Sequence, residues 1–98
     1  MTNVSLDMIY RRGDDVVSRK IADEFILVPI RQKAVDLKSI FTMNETGAFI
    51  WEQMDGSRTI LQIKEKLMEE YSVGPMEAEA DTIEIISQLE NLSFIKKA

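Results

Sequence analysis

The sequence predicts an α+β fold, a winged-helix-like module in which a three-stranded antiparallel sheet is followed by three helices. Runs of β-branched and aromatic residues dominate the first half of the chain, whereas helix caps and helical apolar spacing dominate the second half. The last two predicted helices are joined by a short Gly-Pro turn, as in a helix-turn-helix. A length of 98 residues, 45% of them apolar and 30% charged, suits one globular domain.

The first segment of the chain shows no clear element. Residues 1–15 mix apolar and charged side chains and keep neither a strand period nor a helical period. We therefore expect a flexible N-terminal arm over residues 1–15 and a single domain over residues 16–98.

Three strands are predicted after this arm. The runs 16–21 and 24–28 are rich in β-branched and aromatic residues, and the intervening Ala22-Asp23 predicts that they form a hairpin. Pro29 is expected to end the second strand or to mark an edge, because proline has no N–H to donate to a ladder. Alternating apolar and polar side chains predict a third strand, which is best defined over residues 39–43.

Three helices are predicted in the second half. Asn44 is a natural N-cap for a first helix over residues 45–54, although Thr42 with the following Glu offers a rival capping box. A Thr-x-x-Gln capping box at Thr59 opens the second helix. Proline suits the first position of the third and longest helix, over residues 75–91.

The composition excludes most catalytic chemistry. The chain has no His and no Cys, which removes imidazole bases, thiol nucleophiles, disulfides and the commonest zinc ligands. No segment has the spacing of an EF-hand or of a glycine-rich phosphate loop. We therefore expect no metal, no cofactor and no enzymatic activity.

The distribution of apolar residues predicts where in the cell the protein is located. The longest apolar run, over residues 25–30, has six residues, whereas a membrane-spanning helix needs about 20. The N-terminus has no basic region and apolar stretch of the kind found in secretory leaders. We expect a cytoplasmic protein without a membrane partner.

Charge is unevenly placed along the chain. Residues 1–43 hold seven Lys/Arg and six Asp/Glu, whereas residues 44–98 hold five and eleven. The helix-turn-helix pattern keeps a winged-helix nucleic-acid-binding regulator as the alternative function. However, the third predicted helix carries five carboxylates and no basic residue, which opposes contact with phosphates. We therefore expect no nucleic-acid partner.

One stretch of the chain resembles a known family. Residues 41–51 read Phe-Thr-Met-Asn-Glu-Thr-Gly-Ala-Phe-Ile-Trp, and residues 55–60 read Asp-Gly-Ser-Arg-Thr-Ile. Matching positions in the third helix are Ala80, Asp81, Thr82, Ile85, Ile86, Leu89 and Leu92. The pattern is similar to the PqqD family, named for the pyrroloquinoline quinone biosynthesis protein D, and extends over residues 16–95. Met43 and Ser93 depart from it, where the family commonly has Leu and Gly.

The resemblance implies what the protein does. Members of this family and related peptide-recognition domains are winged-helix modules that are not themselves enzymes. They bind the leader part of a ribosomally made precursor peptide and present it to a modifying enzyme, often a radical S-adenosylmethionine enzyme. The peptide is added as a further strand beside the third strand, in the groove between that strand and the third helix. We expect a peptide chaperone whose partners are a leader peptide and such an enzyme.

Candidate peptide-binding residues on the strand side follow from this implied arrangement. A strand that pairs on one side only leaves backbone donors and acceptors free for an added peptide. The residues expected to supply these groups are Ser39, Ile40, Phe41 and Thr42.

Candidate residues on the third helix come from a helical wheel of 100° per residue centred on Ile85. The wheel places the core stripe at Ala78, Thr82, Leu89 and Leu92. It leaves a second apolar strip, which we expect to line the helix side of the groove: Met76, Ile83 and Ile86. Glu79 flanks this strip and favours basic or neutral leader residues. The alternative is that the arm or the tail at Phe94-Ile95 covers the strip.

Overall fold

Two small sheets and three helices make up the fold. The structure, a computed structural model, describes residues 5–31, 34–35 and 40–98. Within these residues the elements are, in chain order, β1 (Ile9–Arg12), β2 (Val16–Ile21), β3 (Glu24–Arg31), β4 (Ala34–Val35), β5 (Phe41–Met43), α1 (Glu45–Gln53), β6 (Asp55–Thr59), α2 (Ile60–Tyr71), α3 (Pro75–Asn91) and β7 (Ile95–Lys97). The sheet-then-helices order predicted from the sequence is confirmed, with additional short strands.

β2 and β3 form the predicted hairpin. Ile21 pairs with Glu24 across the turn, and Ala22 within the turn has a φ of 55°. Positive φ at a central turn position matches the twist of the two flanking strands. The antiparallel pairing continues to Val16 opposite Pro29.

Pro29 does not end β3, contrary to the expectation from the sequence. The strand continues to Arg31, and Ile30 donates its N–H to the carbonyl of Asp15 at 2.7 Å. Backbone groups alternate in direction along a strand. The position of the missing N–H of Pro29 therefore faces away from β2, and no bond of the hairpin is lost.

Two strands pair with the side of β3 that faces away from β2. β5 runs antiparallel to β3, with Phe41 opposite Leu27, and β4 pairs with the end of β3 near Arg31. The predicted third strand is thus confirmed over Phe41–Met43, whereas Ser39 lies outside the described residues. We call β2, β3, β4 and β5 the hairpin sheet.

A second sheet, which we call the terminal sheet, gathers both ends of the chain. β1 lies between β6 and β7 and is antiparallel to both. Tyr10 of β1 is buried, and its hydroxyl donates to Oε2 of Glu90 at 2.9 Å. The prediction that no element forms before residue 16 is therefore wrong at Ile9–Arg12. These residues have no periodicity of their own and become a strand by pairing with distant segments.

The helices begin at the predicted caps. The side chain of Asn44 accepts the N–H of Gly47 at 2.8 Å, so Asn44 and not Thr42 caps α1. Thr59 and Gln62 form the reciprocal capping box that opens α2. α3 has proline at its start, as predicted. No helix in the described part of the chain is long and apolar enough to cross a membrane.

The core is formed where the helices pack on the hairpin sheet and the terminal sheet. It draws apolar side chains from both sheets and from all three helices. The largest fully buried apolar side chains include Tyr10, Leu27, Ile50, Met54, Ile60, Ile63, Leu67, Ile86, Leu89 and Phe94.

The buried face of α3 differs from the predicted stripe. Ala78, Thr82 and Leu89 are buried as expected, but the fourth buried residue is Ile86. Ile85 and Leu92 are only partly buried. The core face is thus rotated by about 40° from the wheel centred on Ile85. The reason is tertiary: α3 packs mainly against α2 and less against α1.

Candidate functional site

β5 has an open edge. In the part of the chain that the structure describes, it pairs with β3 and with no other strand. The bond from Ile30 to Asp15 shows that even-numbered residues of β3 direct their backbone groups towards β2. Thr42 lies opposite the even-numbered Ile26, so its N–H and C=O turn away from β3. Ile40 directly precedes β5, and an extension of the strand by one residue would add its N–H and C=O to the outward groups.

The side chains of this edge are uncharged. Met43 is buried, Phe41 is half-buried, Thr42 is exposed and Ile40 is 39% exposed. An uncharged strand edge with free backbone groups is a template for another strand. Three of the four strand residues chosen from the sequence, Ile40, Phe41 and Thr42, are therefore brought together at this edge.

α3 meets α1 beside the end of β5, at Gly47. A Cβ built on Gly47 would lie 3.2 Å from Cβ of Met43 and 3.3 Å from Cδ1 of Ile85. The missing side chain therefore permits the close approach that places Ile85 next to this end of the edge. Ile85, assigned from the sequence to the core, is the α3 residue that the structure places here. Glycine inside a helix lowers helix stability by about 1 kcal/mol relative to alanine. A glycine within the predicted first helix was therefore the sequence signal for a close approach at this position.

The α3 residues that the sequence predicts to bind the peptide differ from Ile85, the residue that the structure places beside Gly47. Ile86 is 0% exposed, so its predicted place on a surface strip is wrong. Glu79 faces α2, where its Oε1 lies 3.3 Å from Nζ of Lys64. Met76 and Ile83 lie within about 60° of Glu79 around the helix, on the flank turned away from Gly47. Contact of Met76, Glu79 and Ile83 with a peptide stays a prediction.

The edge offers hydrogen bonds and apolar contacts rather than reactive groups. Within the described residues, no group of three His, Cys, Asp or Glu side chains is placed to hold a metal ion. Over the same residues, no buried side-chain nitrogen or oxygen lacks a hydrogen-bond partner. The outward backbone groups and uncharged side chains of the edge suit binding of an extended chain.

Comparison with known families gives a match over most of the chain. The family model described as "Coenzyme PQQ synthesis protein D (PqqD)" matches residues 24–95. These residues include β3, β5 and all three helices, and hence the open edge and its α3 neighbour. No curated protein matches the chain.

Two solved structures share the fold. "TbiB1 in Complex with the TbiA(beta) Leader Peptide" is 24% identical with a TM-score of 0.68, and the match covers 88% of this chain and 94% of that chain. "Lasso peptide synthetase B1 complexed with the leader peptide" is 17% identical with a TM-score of 0.69, covering 89% of this chain and 96% of that chain. The winged-helix-like α+β architecture predicted from the sequence is consistent with both.

Proposed function

This chain belongs to the PqqD family, and we propose that it is a non-catalytic adaptor that binds the leader segment of a ribosomally made precursor peptide. The leader adds as a strand to the open edge of β5. The bound precursor is then presented to the enzyme that modifies it. The family resemblance alone supports a radical S-adenosylmethionine enzyme in that role.

The observation that carries this proposal is the open, uncharged edge of β5. In strand addition, backbone hydrogen bonds give affinity, and pockets for alternate side chains give specificity. Thr42 supplies one outward N–H and C=O pair, and Ile85 beside Gly47 supplies an apolar neighbour on α3. Both solved structures of the same fold contain a leader peptide, which supports a peptide as the occupant.

A non-catalytic role agrees with the chemistry of the chain. Without His or Cys, a general base tuned near neutral pH would have to be a strongly perturbed carboxylate, amine or phenol. The edge itself has only apolar side chains and the hydroxyl of Thr42. The adaptor therefore contributes binding and orientation, and the enzyme contributes the reaction.

The experiment is capture of short peptides from the native lysate, with the full chain as bait and mass spectrometry as the readout. Three baits are compared: the wild type, Thr42→Pro and Ser18→Pro. Proline at position 42 removes an outward N–H from β5, whereas Ser18 lies opposite Leu27 and loses an outward N–H on β2. We expect wild type and Ser18→Pro to capture the same peptide and Thr42→Pro to lose most of it.

Two results would contradict the proposal. Equal capture by Thr42→Pro and wild type, with Thr42→Pro still folded by circular dichroism, would show that the peptide does not bind at the β5 edge. Micromolar binding of random duplex DNA at low salt, without peptide capture, would favour the nucleic-acid regulator. Such binding would weaken steeply as salt rises, because it depends on counterion release.

A further inference from the structure

A pocket on α1 is separate from the open edge. Its volume is about 150 Å³. It is lined by Phe25, Glu45, Ala48, Phe49, Glu52 and Tyr71, which come from β3, α1 and α2. Glu45 and Glu52 are seven residues apart and share one face of α1, whereas Gly47 is about 200° around the helix from Glu45. The pocket and the open edge are thus on different sides of α1.

Aromatic rings give this pocket an attraction for cations. Phe49 and Tyr71 pack edge to face, with ring centroids 5.5 Å apart and an interplanar angle of 79°. Nζ of Lys20 lies 5.3 Å from the ring centroid of Phe25, so one of the rings already accepts an ammonium group. The face of an aromatic ring carries partial negative charge and attracts Lys and Arg within about 6 Å.

Carboxylates add a full negative charge to the same pocket. Glu45 and Glu52 are both part of its lining. Desolvation raises the pKa of the Tyr71 hydroxyl, and the nearby charges of Glu45, Glu70 and Glu52 raise it further. The negative charges of Glu45 and Glu52 are therefore felt at the Tyr71 hydroxyl, on the same pocket.

Three basic side chains lie beside the pocket, and none of them is part of its lining. Lys20 contacts the ring of Phe25, and the other two belong to a neighbouring cavity. Arg58 and Lys66 line that cavity together with Glu69 and Glu70. Arg58 is already paired with Asp55 at 2.7 Å. Among the described residues, the pocket lining itself contains two carboxylates and no basic side chain. Its charge is complementary to a cation brought by another molecule.

We propose that this aromatic-acidic pocket is a docking site for an arginine side chain presented by a partner protein. The planar guanidinium stacks on aromatic faces and forks towards carboxylates, which a compact ammonium group cannot do. The site goes beyond the proposed function, because the leader peptide occupies the opposite side of α1. A chain can therefore hold the leader and the arginine-bearing partner together.

The test is a nuclear magnetic resonance titration of the isotope-labelled full chain with the capped tripeptide acetyl-Gly-Arg-Gly-amide. The matched probe carries citrulline, which keeps the shape of arginine and lacks its charge. We expect saturable shifts centred on Phe25, Phe49 and Tyr71, with affinity for the citrulline peptide at least fivefold weaker. Glu52→Gln is expected to weaken arginine binding at least threefold.

The control variant is Glu84→Gln, which removes an exposed carboxylate of α3 outside the pocket and is expected to leave arginine binding unchanged. Equal affinity for the two probes would overturn the proposal. So would shifts spread evenly over the acidic surface, or normal arginine binding by a folded Glu52→Gln. The titration contains no leader peptide, so its failure leaves the β5 edge untouched, and failure of leader capture leaves the pocket result standing.

Discussion

The hairpin sheet has two outer edges, and they differ in charge. β2 forms one edge with a strand of six residues, and β5 forms the other with a strand of three. The β2 edge carries the exposed cations Arg19 and Lys20, whereas the described part of the β5 edge, residues 40–43, carries no charge. Both edges pair on one side only within the described residues. The longer edge is thus the one with charged side chains.

Charged side chains are a common protection of strand edges against unwanted pairing. Desolvating a lysine or arginine is costly, so an approaching strand gains little at β2. Residues 40–43, the described part of the β5 edge, lack this protection, and the edge adjoins Ile85 of α3 across Gly47. An edge that stays uncharged beside an apolar helix residue is suited to a specific partner strand. The difference between the edges is therefore the physical basis for placing the peptide at β5.

The largest effect is expected from removing the outward N–H that Ile40 supplies when an added peptide extends β5 by one residue. Ile40→Pro takes away the donor that alternation assigns to the open edge, and calorimetry with the captured peptide should show at least tenfold weaker binding. The unpaired acceptor left on the peptide costs about 1–3 kcal/mol, and about 1.4 kcal/mol is a factor of ten. Ser18→Pro on β2 is the matched control and should change the affinity less than twofold. Similar losses of peptide affinity in both variants would contradict the proposal that the peptide binds at β5 and not at β2.

A smaller effect is expected on the helix side of the edge. Ile85→Ser should weaken peptide binding about fivefold, because it removes apolar contact at the end of β5 nearest Gly47. Ile83→Ser lies on the opposite flank of α3. It should change the affinity less than twofold and should leave the free energy of unfolding within about 1 kcal/mol of wild type. The comparison is made by calorimetry and thermal unfolding. Weaker binding by Ile83→Ser alone would support the prediction from the sequence that Ile83 contacts the peptide, and it would contradict the placement at Ile85.

The protection of β2 can be removed. Lys20→Val takes away one cation of the edge and the contact of its ammonium group with the ring of Phe25. We expect the variant to associate weakly at high concentration through β2, whereas wild type does not associate through that edge. Sedimentation velocity over a concentration series measures this, with Lys97→Val of the terminal sheet as the control. Identical behaviour of Lys20→Val and Lys97→Val would mean that charge does not protect the β2 edge.

The smallest effect on peptide binding is expected from the terminal sheet. Desolvation and the adjacent Glu90 raise the pKa of Tyr10 from 10.0 to about 12. The raised pKa contributes stability that is complete below pH 10 and is lost as the pH rises towards 12. Tyr10→Phe should lack this loss, which urea unfolding at several pH values measures. Its peptide affinity at neutral pH should equal that of wild type. A changed affinity would show that the terminal sheet influences peptide binding at the β5 edge.

Local signals in the sequence were sufficient for the hairpin and the helix starts. The Ala22-Asp23 turn and the Thr59 capping box each act within a few residues, so the sequence predicts them directly. For the first helix the sequence left Asn44 and Thr42 as alternative caps, and the structure selects Asn44. The strand at Ile9–Arg12 has no such signal, because its pairing partners β6 and β7 are distant along the chain.

The α3 side of the candidate site shows a different limit of sequence reasoning. Ile85 and Ile86 are adjacent and equally apolar, so the sequence cannot decide which of them is buried. The packing of α3 against α2 and α1 decides it, and Ile86 is the residue that is fully buried. Burial of a helix face is set by its neighbours, whereas its period is set by its own sequence.

The central claim is that the peptide pairs with β5 and not with β2, and backbone hydrogen exchange measures this directly. The amide of Thr42 faces outward from β5, and the amide of Ser18 faces outward from β2. We expect saturating captured peptide to slow exchange at Thr42 at least tenfold and to leave Ser18 unchanged. Protection at Ser18 without protection at Thr42, or no change at either amide, would contradict the claim.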